Sequence, residues 1–572
     1  MRKALTGQGA SRGTVLGRAR VRLPHALQIA EQHLLPEEAP AELARLHRAI
    51  DAVRAEMHVL RARLHGALAQ EVGEFLDLHA LLLDDPELLH GLDELVRVRH
   101  FTADYALRVQ RDRLAGVFEA MDDPYFRSRV EDIDQVIGRV HAALHRRECE
   151  LRGFAGEILV TESVAPAEMA QLQAQGVVGL VTTGGSPLGH TAILARSLHM
   201  PLVVDCQGAL DLTNDGDALI VDGGSGRVVI EPNADDLREH QARERGHVRE
   251  RRQLARLRRE PTRTLDGVDI RLFANAESQD DVSEAHALGA AGVGLYRTEF
   301  LFLQRSELPD EDEQFRAYRD VVMGMNGQPV TIRTLDVGAD KTDRTGLTLR
   351  DEPNPALGLR GVRLSLMRRG LFETQLRAVL RASAYGRVRL LVPMVTCGEE
   401  VVAVRREVAR VAAQLRAEGL PLGDDVPLGV MIEVPAAALA LPAFIREVDF
   451  LSVGTNDLVQ YLLAVDRNHE GLGRLYTPLH PAVIRVLRDT IRLAQRHACP
   501  IAVCGEMAAA PEYAPLLLAL GLTDFSLHPG TMLEVRQRIR DCDFAALQAK
   551  RSALLRARDR EAIERWLAGV GA

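Results

Sequence analysis

The sequence is short of aromatic residues: Phe, Tyr and Trp make up 4% of 572 residues, with a single tryptophan, so its cores must be aliphatic. Its six cysteines (Cys149, Cys206, Cys397, Cys499, Cys504 and Cys542) are scattered without a CxxC pair. That pattern suggests free thiols in a reducing compartment, and neither a disulfide framework nor a zinc site built on cysteines. No apolar run reaches membrane length, and the opening Met1-Arg-Lys-Ala-Leu-Thr-Gly7 lacks the apolar stretch of a secretory signal. A cytoplasmic protein without membrane insertion is therefore expected. Positive charge is also in deficit, 71 Lys and Arg against 80 Asp and Glu, a net −9. This argues against a general nucleic-acid binder and leaves room for a basic protein partner.

What is present is enough chain for roughly three or four domains. Residues 1–25 read as two short strands around Gly7, Gly9 and Gly13, too few to fold alone. From about Leu35 to Arg147, Leu43, Leu46, Ile50, Val53, Met57 and Leu60 recur at helical spacing, predicting a bundle of about four helices. Its acidic corner at Asp84, Asp85 and Glu87 reads either as a dock for a basic protein or as a solvated helix end. From Gly156 strands and helices alternate, so an α/β domain is completed by the N-terminal strands and interrupted by the helical insertion. Asp235 to Arg259 is dense in both charges and predicts a solvated linker helix with i,i+4 pairs.

Beyond Gly267 eight strand-like runs begin near Ile270, Val293, Val330, Val388, Gly429, Phe450, Ile501 and Phe525, most followed by an amphipathic helix. This is the pattern of a (β/α)8 barrel, with a doubly wound sheet as the alternative. Side chains at the C-terminal ends of barrel strands face the active site. Those ends carry Arg297 and Glu299, then Arg333, Asp336 and Lys341, then Glu433, then Asn456 and Asp457, then Cys504, with Arg360, Arg363 and Arg467 in following loops. So many arginines imply a multiply anionic, phosphate-bearing substrate. Glu433 and Asp457 on neighbouring strand ends repel unless a hard divalent cation lies between them, in the manner of Mg2+. A thiol beside them can hold or deliver a proton.

Phosphoryl transfer also needs an acceptor. Gly184-Gly-Ser-Pro-Leu-Gly-His190 follows an apolar run, Val177 to Thr182, and precedes a helical pattern. His190 is then either a capping histidine beside a tight turn or, among backbone N–H groups that can hold an anion, the phosphoryl carrier.

Gly292-Val-Gly-Leu-Tyr-Arg-Thr-Glu-Phe-Leu-Phe302, Thr331-Ile-Arg-Thr-Leu-Asp-Val-Gly338, Asn354-Pro-Ala-Leu-Gly358, Gly429-Val-Met-Ile-Glu-Val-Pro435, Ser452-Val-Gly-Thr-Asn-Asp-Leu458 and Cys504-Gly-Glu506 closely resemble the enzyme I family of the bacterial sugar phosphotransferase system, the phosphoenolpyruvate–protein phosphotransferases. The resemblance spans essentially the whole chain. It implies a swivelling phosphohistidine α/β domain (1–25 and 152–230), a helical subdomain that binds the carrier HPr (26–151), a linker helix (231–262) and a phosphoenolpyruvate-binding, dimerising barrel (263–572). In that scheme phosphoenolpyruvate sits with Mg2+ on Glu433 and Asp457, and Arg297, Arg333, Asn456, Asp457, Arg467 and Arg360 bind it. His190 takes the phosphoryl group, Cys504 protonates the enolate to pyruvate, and HPr docks near His79, Leu82, Asp84 and Asp85. Two alternatives share the chemistry: a regulatory relay not tied to sugar uptake, and a pyruvate phosphate dikinase-like enzyme. The latter requires a nucleotide domain where this chain has helices without a glycine-rich phosphate loop. Gly189 and Met169 depart from the family, which usually has hydroxyl residues there, so a slower or differently tuned phosphohistidine is expected.

Overall fold

The computed structural model describes residues 2–22, 31–63, 79–119, 133–134, 136–141, 143–145, 156–164, 166–186, 190–198, 200–303, 307–337, 354–467, 472 and 475–570. The chain forms two compact units, Met1–Val248 and Arg249–Ala572.

Strands β1 (Lys3–Thr6), β2 (Gln8–Ser11), β3 (Thr14–Arg22), β4 (Glu157–Thr161), β5 (Gly179–Thr182), β6 (Leu202–Val204), β7 (Ala218–Asp222) and β8 (Arg227–Ile230) build the sheet of the first unit. Their order is β1-β8-β7-β3-β4-β5-β6-β2, with β3 to β6 parallel and the outer pairings antiparallel. The first 22 residues therefore supply both edges and one central strand, which is why they cannot fold without residues 157–230. They contain three strands and not two, and Gly17 lies within the third. A Cβ there would come within 2.6 Å of the Gly156 carbonyl, so glycine serves close packing and not a turn.

Alternation along the strands divides two cores. Leu159, Leu180 and Leu202 join Leu46, Val53, Leu92 and Ile137 of the helical insertion in one cluster, while Ile158, Val160, Val181 and Val203 face the other way in a second. The insertion thus shares a core with one face of the sheet. Its helices include Ala39–Arg63, Pro86–Arg97 and Ala103–Glu119, with residues 133–144 helical where described. The charged stretch after β8 is helical over Ala234–Arg256.

In the second unit all eight expected strands are present: β9 (Arg271–Ala276), β10 (Val293–Tyr296), β11 (Val330–Arg333), β12 (Val388–Val392), β13 (Leu428–Ile432), β14 (Phe450–Val453), β15 (Ile501–Val503) and β16 (Asp524–Leu527). They close in sequence order into a parallel barrel, which rules out the doubly wound alternative. Continuous β-branched and apolar runs such as Val430-Met-Ile432 suit strands covered on both sides. Inside, Phe450 stands where any Cβ at Gly429 would strike its ring, so the glycine makes room for the aromatic plug. Arg536, 1% exposed, ties the barrel to the chain before β9 through the Arg258 carbonyl at 2.7 Å and Thr262 Oγ1 at 3.1 Å.

Candidate active site

Six charged side chains are buried where the barrel strands end: Glu299, Arg333, Asp336, Arg360, Glu433 and Asp457. Arg333, the last residue of β11, reaches Glu299 Oε1 at 3.0 Å and Asp336 Oδ2 at 3.3 Å. Arg360 holds Asp336 by Nε at 3.1 Å and Nη2 at 2.9 Å, donates through Nη1 to Tyr461 Oη at 3.1 Å, and lies 3.5 Å from Asp457. Most of its donors are thus committed to neighbouring protein groups. Burial works against both guanidinium charges, yet the surrounding carboxylates outweigh it and keep both pKa values raised.

The four carboxylates exceed the two guanidiniums by two negative charges. The strain falls on Glu433, at the end of β13, whose pKa is raised by burial and by Asp336 and Asp457. One of its oxygens accepts the Met394 N–H at 2.6 Å. Asp457 Oδ1 is buried without a hydrogen bond, its nearest cation being Arg467 Nη1 at 3.6 Å, beyond hydrogen-bond range. Gly454, between these carboxylates in sequence, has no room for a Cβ, which would fall 2.9 Å from Glu433 Oε2. Among the described residues, a surplus of two carboxylates over guanidiniums and an unsatisfied carboxylate oxygen are attributes that a hard divalent cation would fit.

Cys504 follows β15 and is 4% exposed. Burial pushes its thiol up to about 11, with Glu433 adding to the effect and Arg333 and Arg297 opposing it. The thiol therefore stays protonated at neutral pH while sharing the field of the site. Its backbone carbonyl accepts from Asn275 Nδ2 at 3.0 Å, and Ser526 Oγ donates to Asn275 Oδ1 at 2.6 Å. Asn456 and Glu506 exchange two bonds, Nδ2 to Oε1 at 3.2 Å and the Glu506 N–H to Oδ1 at 2.9 Å. At the outer edge Arg297 pairs with Glu277, and Arg297 and Arg467 keep side-chain exposures of 42% and 40%.

The barrel therefore brings together Arg333, Asp336, Arg360, Glu433, Asp457 and Cys504, with Asn456, Arg297 and Arg467 at the rim. Arg363 is not in a loop: it lies on helix Val362–Met367 and its Nη1 donates to the Leu357 carbonyl at 3.1 Å. Lys341 lies outside the described residues. Sequence reading missed Asn275, Ser526, Glu277, Tyr461 and Tyr476, the last donating its hydroxyl to the Asn456 carbonyl at 3.1 Å. Asn275 and Ser526 carried a usable signal, since a polar side chain within an otherwise apolar barrel strand needs a partner.

In the first unit β5 leads to a helix beginning at His190 and ending at Ser197. The histidine is thus at a helix start, as its glycine-rich approach suggests, and its side chain lies outside the described atoms, as does Gly189. Met169 is fully buried and belongs to the shared core. Of the expected docking residues, Asp84 and Asp85 are exposed and Leu82 is half-buried. Asp84 accepts from Arg54 at 2.7 Å, and Asp85 caps helix Pro86–Arg97 through the Glu87 N–H at 2.7 Å. His79 is fully buried and offers no surface to a partner, correcting that expectation: its helix turns the ring toward the insertion's core.

The chain matches three families, described as PEP-utilising enzyme, PEP-binding domain, over residues 251–544, PEP-utilising enzyme, N-terminal, over 6–129, and PEP-utilising enzyme, mobile domain, over 154–226. It is 43% identical over 98% of its length to a phosphoenolpyruvate-protein phosphotransferase of Cupriavidus necator, covering 97% of that chain. Those of Geobacillus stearothermophilus and Streptococcus equinus are 38% and 36% identical, over 94% and 96% of this chain and 93% and 95% of theirs. The chain belongs to the phosphoenolpyruvate-protein phosphotransferase family of PEP-utilising enzymes.

Proposed function

We infer that the chain moves the phosphoryl group of phosphoenolpyruvate to its own His190 and from there to a histidine of an HPr-type carrier, releasing pyruvate. The observation that carries this reading is the buried thiol of Cys504, 4% exposed, directly after β15 at the same barrel mouth as Arg333 and Glu433. A site that only bound phosphate would not need a buried acid beside its arginines.

The rim arginines, Arg297 and Arg467, with Asn456, receive the phosphate and carboxylate oxygens, and Arg333 has a buried Nε without a partner for one of them. Arg360 orients Asp336 and Tyr461, with an Nη1 hydrogen left for substrate. Glu433 and Asp457 would hold Mg2+, which when bound offsets the negative charge of the phosphate and the departing enolate oxygen. A ring nitrogen of His190 attacks phosphorus in line, and the P–O bond to the enolate breaks with its electrons on that oxygen. The methylene carbon of the enolate then takes the Cys504 proton, giving pyruvate. In the second transfer an imidazole of the carrier replaces His190 on phosphorus. The exposed Asp84 and Asp85, with Leu82 beside them, suit the basic carrier that an acidic corner can dock.

Self-association through the barrel completes the reading. Leu357, Met367, Leu439 and Leu475 are large, apolar and exposed on segments following β11, β13 and β14. Sedimentation of Leu439→Glu beside the unmodified chain should show dissociation if this surface is the interface.

The relay is tested by mass spectrometry after incubation with phosphoenolpyruvate and Mg2+. An acid-labile phosphoryl adduct should appear on the peptide containing His190 and be absent in His190→Ala. An adduct that persists in that variant would assign the carrier elsewhere.

A further inference from the structure

Apart from the barrel, one cluster in the helical insertion has the make-up of a metal centre. Asp104 stands in the first turn of helix Ala103–Glu119, and His141 and His145 occupy successive turns of the helical stretch opposite, joined by a backbone bond of 3.3 Å from His145 N–H to the His141 carbonyl. Both imidazole Nε2 atoms converge on the same oxygen, Asp104 Oδ1, at 3.2 Å from His141 and 2.6 Å from His145. The two rings are 4.6 Å apart. Among the described residues this is the sole set of three such side chains whose ligand atoms all lie within 4.8 Å of one another.

We propose that Asp104, His141 and His145 bind a divalent transition ion of the zinc class, with water as the fourth ligand.

Two features favour a shared ion over a simple ion pair. Two imidazoles pairing with one carboxylate would spread over both its oxygens, whereas here they crowd Oδ1 and leave Oδ2 4.0 Å from Arg45. Zinc bonds of about 2.0–2.2 Å in a tetrahedron hold ligand atoms roughly 3.3 Å apart. The observed 2.6 and 3.2 Å separations reach that by small side-chain adjustments.

The nearest competing charge is Arg45, and it is already offset by Glu42 at 3.0 Å and tied to the Leu144 carbonyl at 3.1 Å. Two nitrogen ligands disfavour Mg2+ and Ca2+, and three protein ligands with an open side suit Zn2+, Co2+ or Ni2+. The open side is that of His145, whose side chain is 53% exposed, against 17% for His141 and 18% for Asp104. Glu42 also accepts the Ala103 N–H at 3.0 Å, so an ion here would pin the start of one helix, already fastened to helix Ala39–Arg63, to the last described turn of another.

The test uses the full chain, stripped with chelator and then held in excess Mg2+ so that the barrel carboxylates are occupied. Zn2+ is titrated against a chromophoric chelator, and Co2+ supplies a visible spectrum. One Zn2+ per chain should bind, with nitrogen-type d–d bands for the Co2+ form and a higher thermal midpoint. His145→Ala, at an exposed position that leaves the fold intact, should lose those bands and weaken Zn2+ by more than the ~10–100-fold that loss of an outer partner costs. Asp104→Asn should weaken it as well. Equal binding by the unmodified chain and His145→Ala would assign the ion to cysteines and overturn the proposal, as would failure to compete with the chelator at all.

Discussion

Arg360 grips Asp336 with two parallel bonds, 3.1 Å and 2.9 Å long, and both side chains are buried. The pair sits in a cluster where carboxylates outnumber guanidiniums by two, so its members are not equivalent. Arg360→Met raises the negative excess to three, whereas Asp336→Asn lowers it to one. Breaking a buried pair by removing one partner costs about 3–5 kcal/mol. Arg360→Met should approach that cost and Asp336→Asn should fall well short of it. The single tryptophan, Trp566, lies in this unit and reports its urea unfolding by fluorescence. Equal losses for the two variants would mean that the charge imbalance does not govern the cluster.

The rim arginines predict a different signature. Arg297 and Arg467 keep side-chain exposures of 42% and 40%, so truncating either removes little packing. A hydrogen bond to a charged group is worth about 1.5–3 kcal/mol, or roughly 10- to 150-fold in affinity. Arg297→Ala and Arg467→Ala should each weaken phosphoenolpyruvate by that range with unchanged urea midpoints. Steady-state kinetics and a denaturation curve on the same preparations check both halves, and a lost midpoint with unchanged KM would refute the assignment.

Much of this site was legible because barrel geometry converts position into function. A residue just past an apolar β-branched run lands at the mouth, and Arg333, Glu433, Asp457 and Cys504 could be picked out on that ground alone. What was not legible follows from pairing across distant strands. Asn275 and Ser526 each stand out as polar in an apolar strand, but they are 251 positions apart and nothing local identifies one as the partner of the other. Arg536 is buried against backbone carbonyls, which have no sequence signature. His79 failed for the opposite reason: its neighbours suggested a surface, and helical phase turned it inward. Met169, where the family resemblance led to the expectation of a hydroxyl, is given over to core packing.

Gly505 predicts how tightly the acid is positioned. A Cβ there would collide with Thr455 Oγ1 and approach the Thr455 nitrogen at 2.8 Å and Asn456 Oδ1 at 2.9 Å. The turn must therefore shift, carrying its neighbours Cys504 and Glu506. Overpacking of this kind costs about 1–3 kcal/mol. Gly505→Ala should lower kcat far more than this loss of stability alone would suggest at temperatures where the variant is folded. Gly116 is the control, since it is exposed in helix Ala103–Glu119 with nothing within 4 Å of a new Cβ. Gly116→Ala should stabilise its unit by roughly 0.5–1 kcal/mol and leave turnover alone. Full activity in Gly505→Ala would show that the turn tolerates displacement.

Cys504 makes the sharpest prediction because one raised thiol pKa sets the pH dependence of both rate and stability. Its thiol is raised from 9.0 to about 11, chiefly by burial. If Cys504 donates the enolate proton as proposed, Cys504→Ala should slow turnover by roughly 100- to 10,000-fold. In the unmodified chain the protonated thiol persists well past neutrality, so its contribution to turnover should fall only as pH approaches about 11. For stability the sign follows from a folded pKa above the unfolded one. The contribution is complete below about pH 9 and is lost as pH rises through about 11, because the unfolded thiol ionises first. In metal-free buffer the unmodified chain should therefore lose ground to Cys504→Ser by up to about 1.4 kcal/mol per pH unit across that interval. Urea midpoints by Trp566 fluorescence at pH 8 and pH 10 measure it, and parallel behaviour of the two proteins would place the titrating acid elsewhere.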